Sequence, residues 1–350
     1  MKNTAAFLGC LILACIHVKA QHVSLNQQEI LQLKRVFAKD EKVKAFVEDF
    51  KRRADDALND EPNPVEKIRS QGLLQGDPLK TRSLKAVEDA AKIHALALTS
   101  KLYKRQPYQD KARNFLLAWA RINQATGDPI DETKLEDAIV GYDLIRSDLE
   151  KADRDVIDSW MEKIADAEMN SIYASPERST SKNNWNSHRI KIITQIAHTI
   201  HSTKFDKFIV QELDSHLVRN LNADGSSFDF HERDALHYHI YTLEPMLKAI
   251  IVLKRATGKD YFSYVSQSGS SIEKSVDFLV PYVSGEKRHV EFANSRVAFD
   301  RARAKNNEKG YQPADFVPAK GIVVLSLASY FDPAYMEVIK DTPGIASDYI

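Results

Sequence analysis

Apolar residues recur at three- and four-residue spacing along most of the chain, the pattern of helices that each bury one stripe. Over residues 26–58 the spacing predicts two helices, with Phe37, Val43, Phe46 and Phe50 on the stripe. Another pair is predicted over 84–103 (Leu84, Val87, Ile93, Leu96) and 107–124 (Phe115, Leu116, Trp119, Ile122). Helices are then expected over 131–146, 148–171, 186–202, 204–221, 231–256 and 260–278. The connections are short and polar, as in Thr126-Gly127-Asp128-Pro129, and no strong strand alternation precedes residue 320. Even the apolar run from Gly321 to Leu327 suits a buried helix. Serial helical hairpins must bury their stripes against neighbours, which a straight solenoid or a closed ring can do. A solenoid usually carries a sequence period, and none is visible. The expected fold is therefore all-α, an (α/α) toroid or incomplete barrel of helical hairpins.

One stretch departs from the pattern. Residues 59–83 hold Pro62, Pro64, Gly72, Gly76 and Pro78 together with Arg69, Lys80 and Arg82. Loops of such length in compact domains usually serve a function. A basic lid over a cleft is expected, with a solvated surface loop as the alternative.

The first twenty residues read as a secretory signal peptide. Lys2 precedes an apolar run from Ala5 to Ile16, and Val18-Lys19-Ala20 is a small-residue cleavage pattern. The domain plan is a signal peptide over 1–20 and a single domain over 21–350. Both cysteines, Cys10 and Cys15, fall in the leader, so the mature chain would have no disulfide, which fits a bacterial periplasm or secretion. Lipid attachment at Cys15 is the competing reading. Charge is balanced, with 49 basic and 49 acidic residues, so no overall basic field invites nucleic acid. No later segment is long and apolar enough to span a membrane.

Two polar clusters could carry chemistry. The first is Asn183-Asn184-Trp185-Asn186-Ser187-His188-Arg189, placed before the apolar helix of Ile190, Ile193 and Ile196. It reads as a capped helix start, or as a carboxylate site built from helix N–H groups, amide donors and an imidazole. The second runs from Asp224 to His239, with His231, Arg233, His237, Tyr238 and His239 close together. On a continuous helix His231, Asp234, Tyr238 and Tyr241 would share one face, while Arg233 would lie far round from Tyr238. His237 and His239, two apart, cannot both point at one ion, and the H-E-x-x-H spacing is absent, so no metal is expected. Asp229, Glu232 and Asp234 leave a glycoside hydrolase open, because that chemistry needs two carboxylates at a set separation. A non-catalytic glycan-binding helical protein is the other rival.

At these clusters the chain resembles the alginate lyase family and related α/α-toroid polysaccharide lyases. Four segments match in order: residues 85–120, residues 125–145, NNWNSHR at 183–189 and DGSSFDFHERDALHYHIYTLEPML at 224–247. The resemblance implies cleavage of a uronic-acid polymer by β-elimination, leaving a 4,5-unsaturated uronate, without a cofactor and with an anionic polysaccharide as partner. It makes Tyr238 the catalytic tyrosine and Asn184 the carboxylate-neutralising asparagine, with Asn183 beside it. The family's histidine follows that asparagine directly, and Trp185 stands there instead, so His188, one turn on, is the candidate imidazole. The family's arginine lies seven residues before the tyrosine, where this chain has His231, and Arg233 is shifted by two. Asn183, Trp185, His231, Arg233 and Arg69 are the substrate-binding candidates. Tyr238 could act as both base and acid, or His188 as base with Tyr238 as acid. These departures point to a divergent lyase, one that takes polyglucuronate or mixed uronans rather than plain polymannuronate.

Overall fold

The structure, a computed structural model, describes residues 21–343; the leader and the lipid-attachment alternative at Cys15 lie outside them. Fifteen α-helices account for nearly all regular structure among these residues, and the two strands, β1 (Val290–Glu291) and β2 (Ala314–Asp315), have two residues each. After α1 (Gln27–Phe37) the helices fall into two layers. The inner layer runs through α3 (Pro78–Tyr103), α6 (Glu136–Ile145), α8 (Asn184–Thr199), α11 (Leu236–Thr257) and α14 (Ile322–Ala328), each packed on the next. The outer layer is α2 (Glu41–Ala57), α4 (Gln106–Ile122), α7 (Lys151–Met169), α9 (Asp206–Asn220) and α12 (Ile272–Val283), packed against the inner helices. Among the described residues α14 makes no comparable contact back to α3, so the ring is incomplete. This is the (α/α) toroid that the hairpin pattern predicts.

The inner helices are buried nearly all round. In α8, 14 of 16 residues are buried, which removes the amphipathic contrast that an outer helix shows. Several polar side chains on α8 are committed to partners: Lys191 bonds Glu136 at 2.7 Å and Ser187 bonds Thr242 at 2.7 Å. α8 and α11 run in the same sense, because Ser187 meets Thr242 near their starts while Lys191 and Lys248 share Glu136 further along. Where α6 crosses α3, Gly141 leaves no room for a side chain. A Cβ there would lie 2.9 Å from Ile93 Cγ2 and 3.1 Å from the His94 backbone.

Three expectations need correction. The helix expected from residue 84 begins at Pro78, because Asp77 caps it by accepting from the Leu79 and Lys80 N–H groups and proline suits the first turn. The non-helical stretch therefore ends at 77. The helix expected over 260–278 spans Ile272–Val283, since Ser271 caps it and Ser266, Ser268 and Ser270 hold the preceding loop by mutual hydroxyl bonds. The continuous helix expected from 231 breaks at Asp234, whose backbone is left-handed at φ 47°, separating α10 (Phe228–Arg233) from α11. The two short strands, β1 and β2, leave the all-α class intact and pin a corner described below.

Candidate active site

The N-terminal ends of α8 and α11 lie side by side at one end of the ring, and the polar clusters meet there. Tyr238 sits in the first turn of α11 and is 5% exposed. The break at Asp234 sets its direction. The Asp234 carboxylate accepts from the Asn294 backbone and side chain, both at 2.9 Å, and its carbonyl accepts from Phe292 N at 2.7 Å. Glu291, on β1, caps α11 by accepting from His237 N at 3.0 Å. The segment 289–296 thus clamps the corner between α10 and α11.

That corner reverses the helical-wheel expectation for Arg233. Its guanidinium stands 3.8 Å from the Tyr238 ring centroid and donates to buried Asp300 at 2.5 Å. A second arginine, which the sequence reading did not single out, reaches the phenol itself. Arg303, in α13 (Ala298–Lys305), donates through Nη1 to Tyr238 Oη at 3.1 Å and to Tyr311 Oη at 2.9 Å. Because Tyr238 Oη accepts this bond, its own proton remains available to another acceptor. Burial pushes the phenol well above its ordinary range, and Arg233 and Arg303 oppose that shift.

His188 lies one turn into α8 from Asn184, on the same face. Its ring contacts that of Tyr241 at 4.4 Å, and Tyr241 lies 6.1 Å from Tyr238. His188 Nδ1 pairs with Thr133 Oγ1 at 3.0 Å, and Lys191, which can only donate, gives a proton to the same oxygen at 2.7 Å. The Thr133 hydroxyl can then donate to Nδ1, an arrangement that puts the imidazole proton on Nε2. Nε2 is buried with no hydrogen-bond partner among the described residues. Burial, then the charge of Lys191, holds His188 far below its usual range, so the ring is neutral. The result is an unpartnered neutral N–H donor near the phenol. An unpaired buried donor is costly unless a ligand satisfies it.

Asn184 is the first residue of α8, and Asp229 fixes it. The Asp229 carboxylate accepts from Asn184 Nδ2 at 2.5 Å and from its backbone N at 3.0 Å, while Asn220 holds the other oxygen at 2.8 Å. One amide proton of Asn184 remains for a ligand. Asn183 is the N-cap of α8, accepting from Trp185 N at 3.1 Å. Trp185 packs on Tyr173, with ring centroids 4.9 Å apart.

Two candidates do not join the cluster. His231 is exposed and bonds Ser226 at 2.8 Å, on the turn that leads into α10. Arg69 is exposed, and its backbone N–H donates to Ser83 at 2.9 Å. Lys80, also expected to meet the polyanion, spends its ammonium on the Leu73 carbonyl at 2.9 Å. The loop itself does reach the site. Its tip at Gln75 donates to Glu308 at 2.6 Å and accepts from Asn306 at 3.1 Å, next to Arg303. His237 and His239 are neutral parts of the frame. His237 is lowered to about 4 by burial and then Lys320, and it stacks on Tyr241. His239, likewise lowered to about 4 by burial, bonds Ser227 and the Ser275 carbonyl at 2.9 Å each.

The site therefore has a phenol held by two cations, with neutral amide and imidazole donors nearby, which is the equipment of a polysaccharide lyase that works by proton abstraction. The alginate lyase family model matches residues 38–289. The chain belongs to that family. Among solved structures, an alginate lyase from Bacteroides ovatus is similar over 94% of this chain and 97% of its own, at 16% identity and a TM-score of 0.69. Alginate lyase A1-III from Sphingomonas species A1 is similar over 77% of this chain and 80% of its own, at 18% identity and a TM-score of 0.56. A variant of A1-III complexed with a tetrasaccharide has the same coverage and identity and a TM-score of 0.58. No curated protein matches the sequence.

Proposed function

We propose that Tyr238 is both the base and the acid of a β-elimination that cleaves a uronic-acid polymer, alginate or a polyglucuronate. The observation that carries this reading is the contact of Arg303 Nη1 with Tyr238 Oη at 3.1 Å, beside the unpartnered His188 Nε2. The C-5 proton of a uronate is weakly acidic, and removing it puts charge onto the carboxylate. Donors aimed at that carboxylate are commonly worth ~10²–10³ in rate. His188 Nε2–H and the free amide proton of Asn184 supply them. The His188–base alternative requires a bare Nε2, which the Thr133 and Lys191 bonds disfavour. Tyr238 as phenolate takes the C-5 proton, and Arg233 and Arg303 stabilise that anion. The phenol so formed then delivers its proton to O-4 as the glycosidic bond breaks, with both groups leaving from one face of the ring. Trp185 and Tyr173 offer an aromatic surface for a more distant sugar. The leader read over residues 1–20 supports a periplasmic or secreted location. A panel of polymannuronate, polyguluronate and polyglucuronate, followed by ultraviolet absorbance of the unsaturated end, tests the reading. Product from at least one supports it, and binding without product from any of them contradicts it.

A further inference from the structure

A second cavity lies away from the site just described. It encloses about 880 Å³ between the N-terminal segment with α1, the C-terminal end of α3, the start of α4, the end of α6 and the end of α8. Thr199, which lines it, closes the same helix that Asn184 opens. Fifteen residues at 1.5 Å each put the two about 22 Å apart along α8. The volume falls within the range of small-molecule sites, about 300–1,000 Å³.

The lining is cationic beyond what its acids neutralise. Arg146 is taken by Asp158, at 2.7 Å and 2.9 Å, and Lys101 by Asp148. Asp143 is occupied by Ser24, whose N–H and hydroxyl both donate to it. Arg105 also lines the cavity, and with it Lys34 and Lys104 are left over. The Lys34 ammonium reaches only a neutral partner, the Lys101 carbonyl at 3.0 Å, and Lys104 is exposed and forms no ion pair among the described residues. Both lysines line the cavity, and burial and then the charge of Lys104 push Lys34 below its ordinary value. Like charges held together in this way are relieved by an anion between them.

A second observation is independent of charge. The Thr199 hydroxyl is fully buried, and it has no hydrogen-bond partner among the described residues. A hydroxyl that forgoes a bond to its own helix and lines a roomy cavity is placed to serve a ligand.

We propose that this cavity is a second, non-catalytic binding site for an oxyanion, held by Lys34 and Lys104 with the Thr199 hydroxyl donating. A uronate carboxylate and free phosphate offer the same chemistry, and a uronate would let the enzyme retain polymer at the end of the ring remote from Tyr238. The uronate source rests on the proposed function; the phosphate source does not.

The test is calorimetric titration of the Tyr238→Phe chain, which binds without consuming its ligand, with a uronate trisaccharide, with inorganic phosphate and with a neutral trisaccharide. The same titrations are run after adding Lys34→Gln and Lys104→Gln. Lys34→Arg with Lys104→Arg, which preserves charge, controls for folding. The expected result is two trisaccharide equivalents, of which the double glutamine change weakens one at least tenfold while the double arginine change retains both. In the otherwise native chain the glutamine pair should leave trisaccharide turnover within twofold. If only phosphate binding is lost, the site stands and its ligand is the free ion. If neither anion responds, or the neutral sugar binds equally well, the proposal is overturned. A chain that eliminates no uronan but loses phosphate with the glutamine pair would refute the proposed function and leave this site intact.

Discussion

Arg303→Gln isolates the least expected feature of the site. The change keeps a polar group of similar reach and removes the charge that meets Tyr238 Oη at 3.1 Å. For a full phenolate at that distance, Coulomb's law with an effective dielectric near 20 gives roughly 5 kcal/mol as an upper figure. Arg303 retains some solvent contact, at 17% side-chain exposure, and Arg233 remains over the ring, so much of this is screened or compensated. A charge-assisted hydrogen bond contributes about 1.5–3 kcal/mol. At about 1.36 kcal/mol per decade the expected loss is ~10–100-fold in kcat. Because the charge appears only as the phenolate forms, KM should change little. Initial rates from ultraviolet absorbance of the unsaturated product, with thermal unfolding as a check on folding, measure this. A kcat within twofold of the native value, in a folded variant, would refute the role given to Arg303.

Three further outcomes follow from the same structure. Burial raises the Tyr238 phenol above its ordinary value near 10, so the phenolate is scarce at neutral pH; kcat/KM should climb about tenfold per pH unit from 7 to 9, whereas a plateau beginning near pH 6.5 would point to a histidine base. Glu168 is fully buried against Glu132, and burial, then the charge of Glu132, raises it well above 4.5. An acid raised in the folded state keeps its proton while the unfolded chain loses its own, so stability falls as pH rises from about 4.5 toward the folded value; Glu168→Gln should therefore raise the Tm at pH 8 and have little effect at pH 4, and an equal shift at both would contradict this. Gly141→Ala should lower stability by about 1–3 kcal/mol in urea, because its Cβ must displace Ile93 or the α3 backbone; an unchanged midpoint would show that the α3–α6 crossing yields.

Much of the fold was legible because a toroid is built by repeating one local device. Each stripe, such as Phe115, Leu116 and Trp119, declares a helix without reference to distant residues, and all three are buried as the spacing predicts. The neighbourhood of His188 and Tyr238 was also accessible, since both fall in compact polar clusters at helix starts. What failed depended on single backbone choices or on distant chain. The break at Asp234 rests on one residue in the left-handed region, held by Asn294, sixty positions on. Nothing in periodicity announces it, yet it turns Arg233 from remote to adjacent. Arg303, Tyr311 and Asp300 come from the stretch after residue 295, where arginines are frequent and no spacing distinguishes the one that meets the phenol. Asp229 and Thr133 were within segments already noted for their resemblance. Their use, orienting Asn184 and fixing the tautomer of His188, emerges only from contacts.

The central claim is that one hydroxyl moves both protons, and Tyr238→Phe tests it most directly. The substitution preserves the ring against Arg233 and Phe292 and removes only the oxygen that Arg303 holds. Single-turnover formation of unsaturated product from saturating uronan, with polymer affinity measured alongside, gives the answer. The account predicts affinity within a fewfold of native and a rate reduced by at least ~10²–10⁴. Turnover within tenfold of native, in a folded variant that binds normally, would contradict it and assign the chemistry to another group.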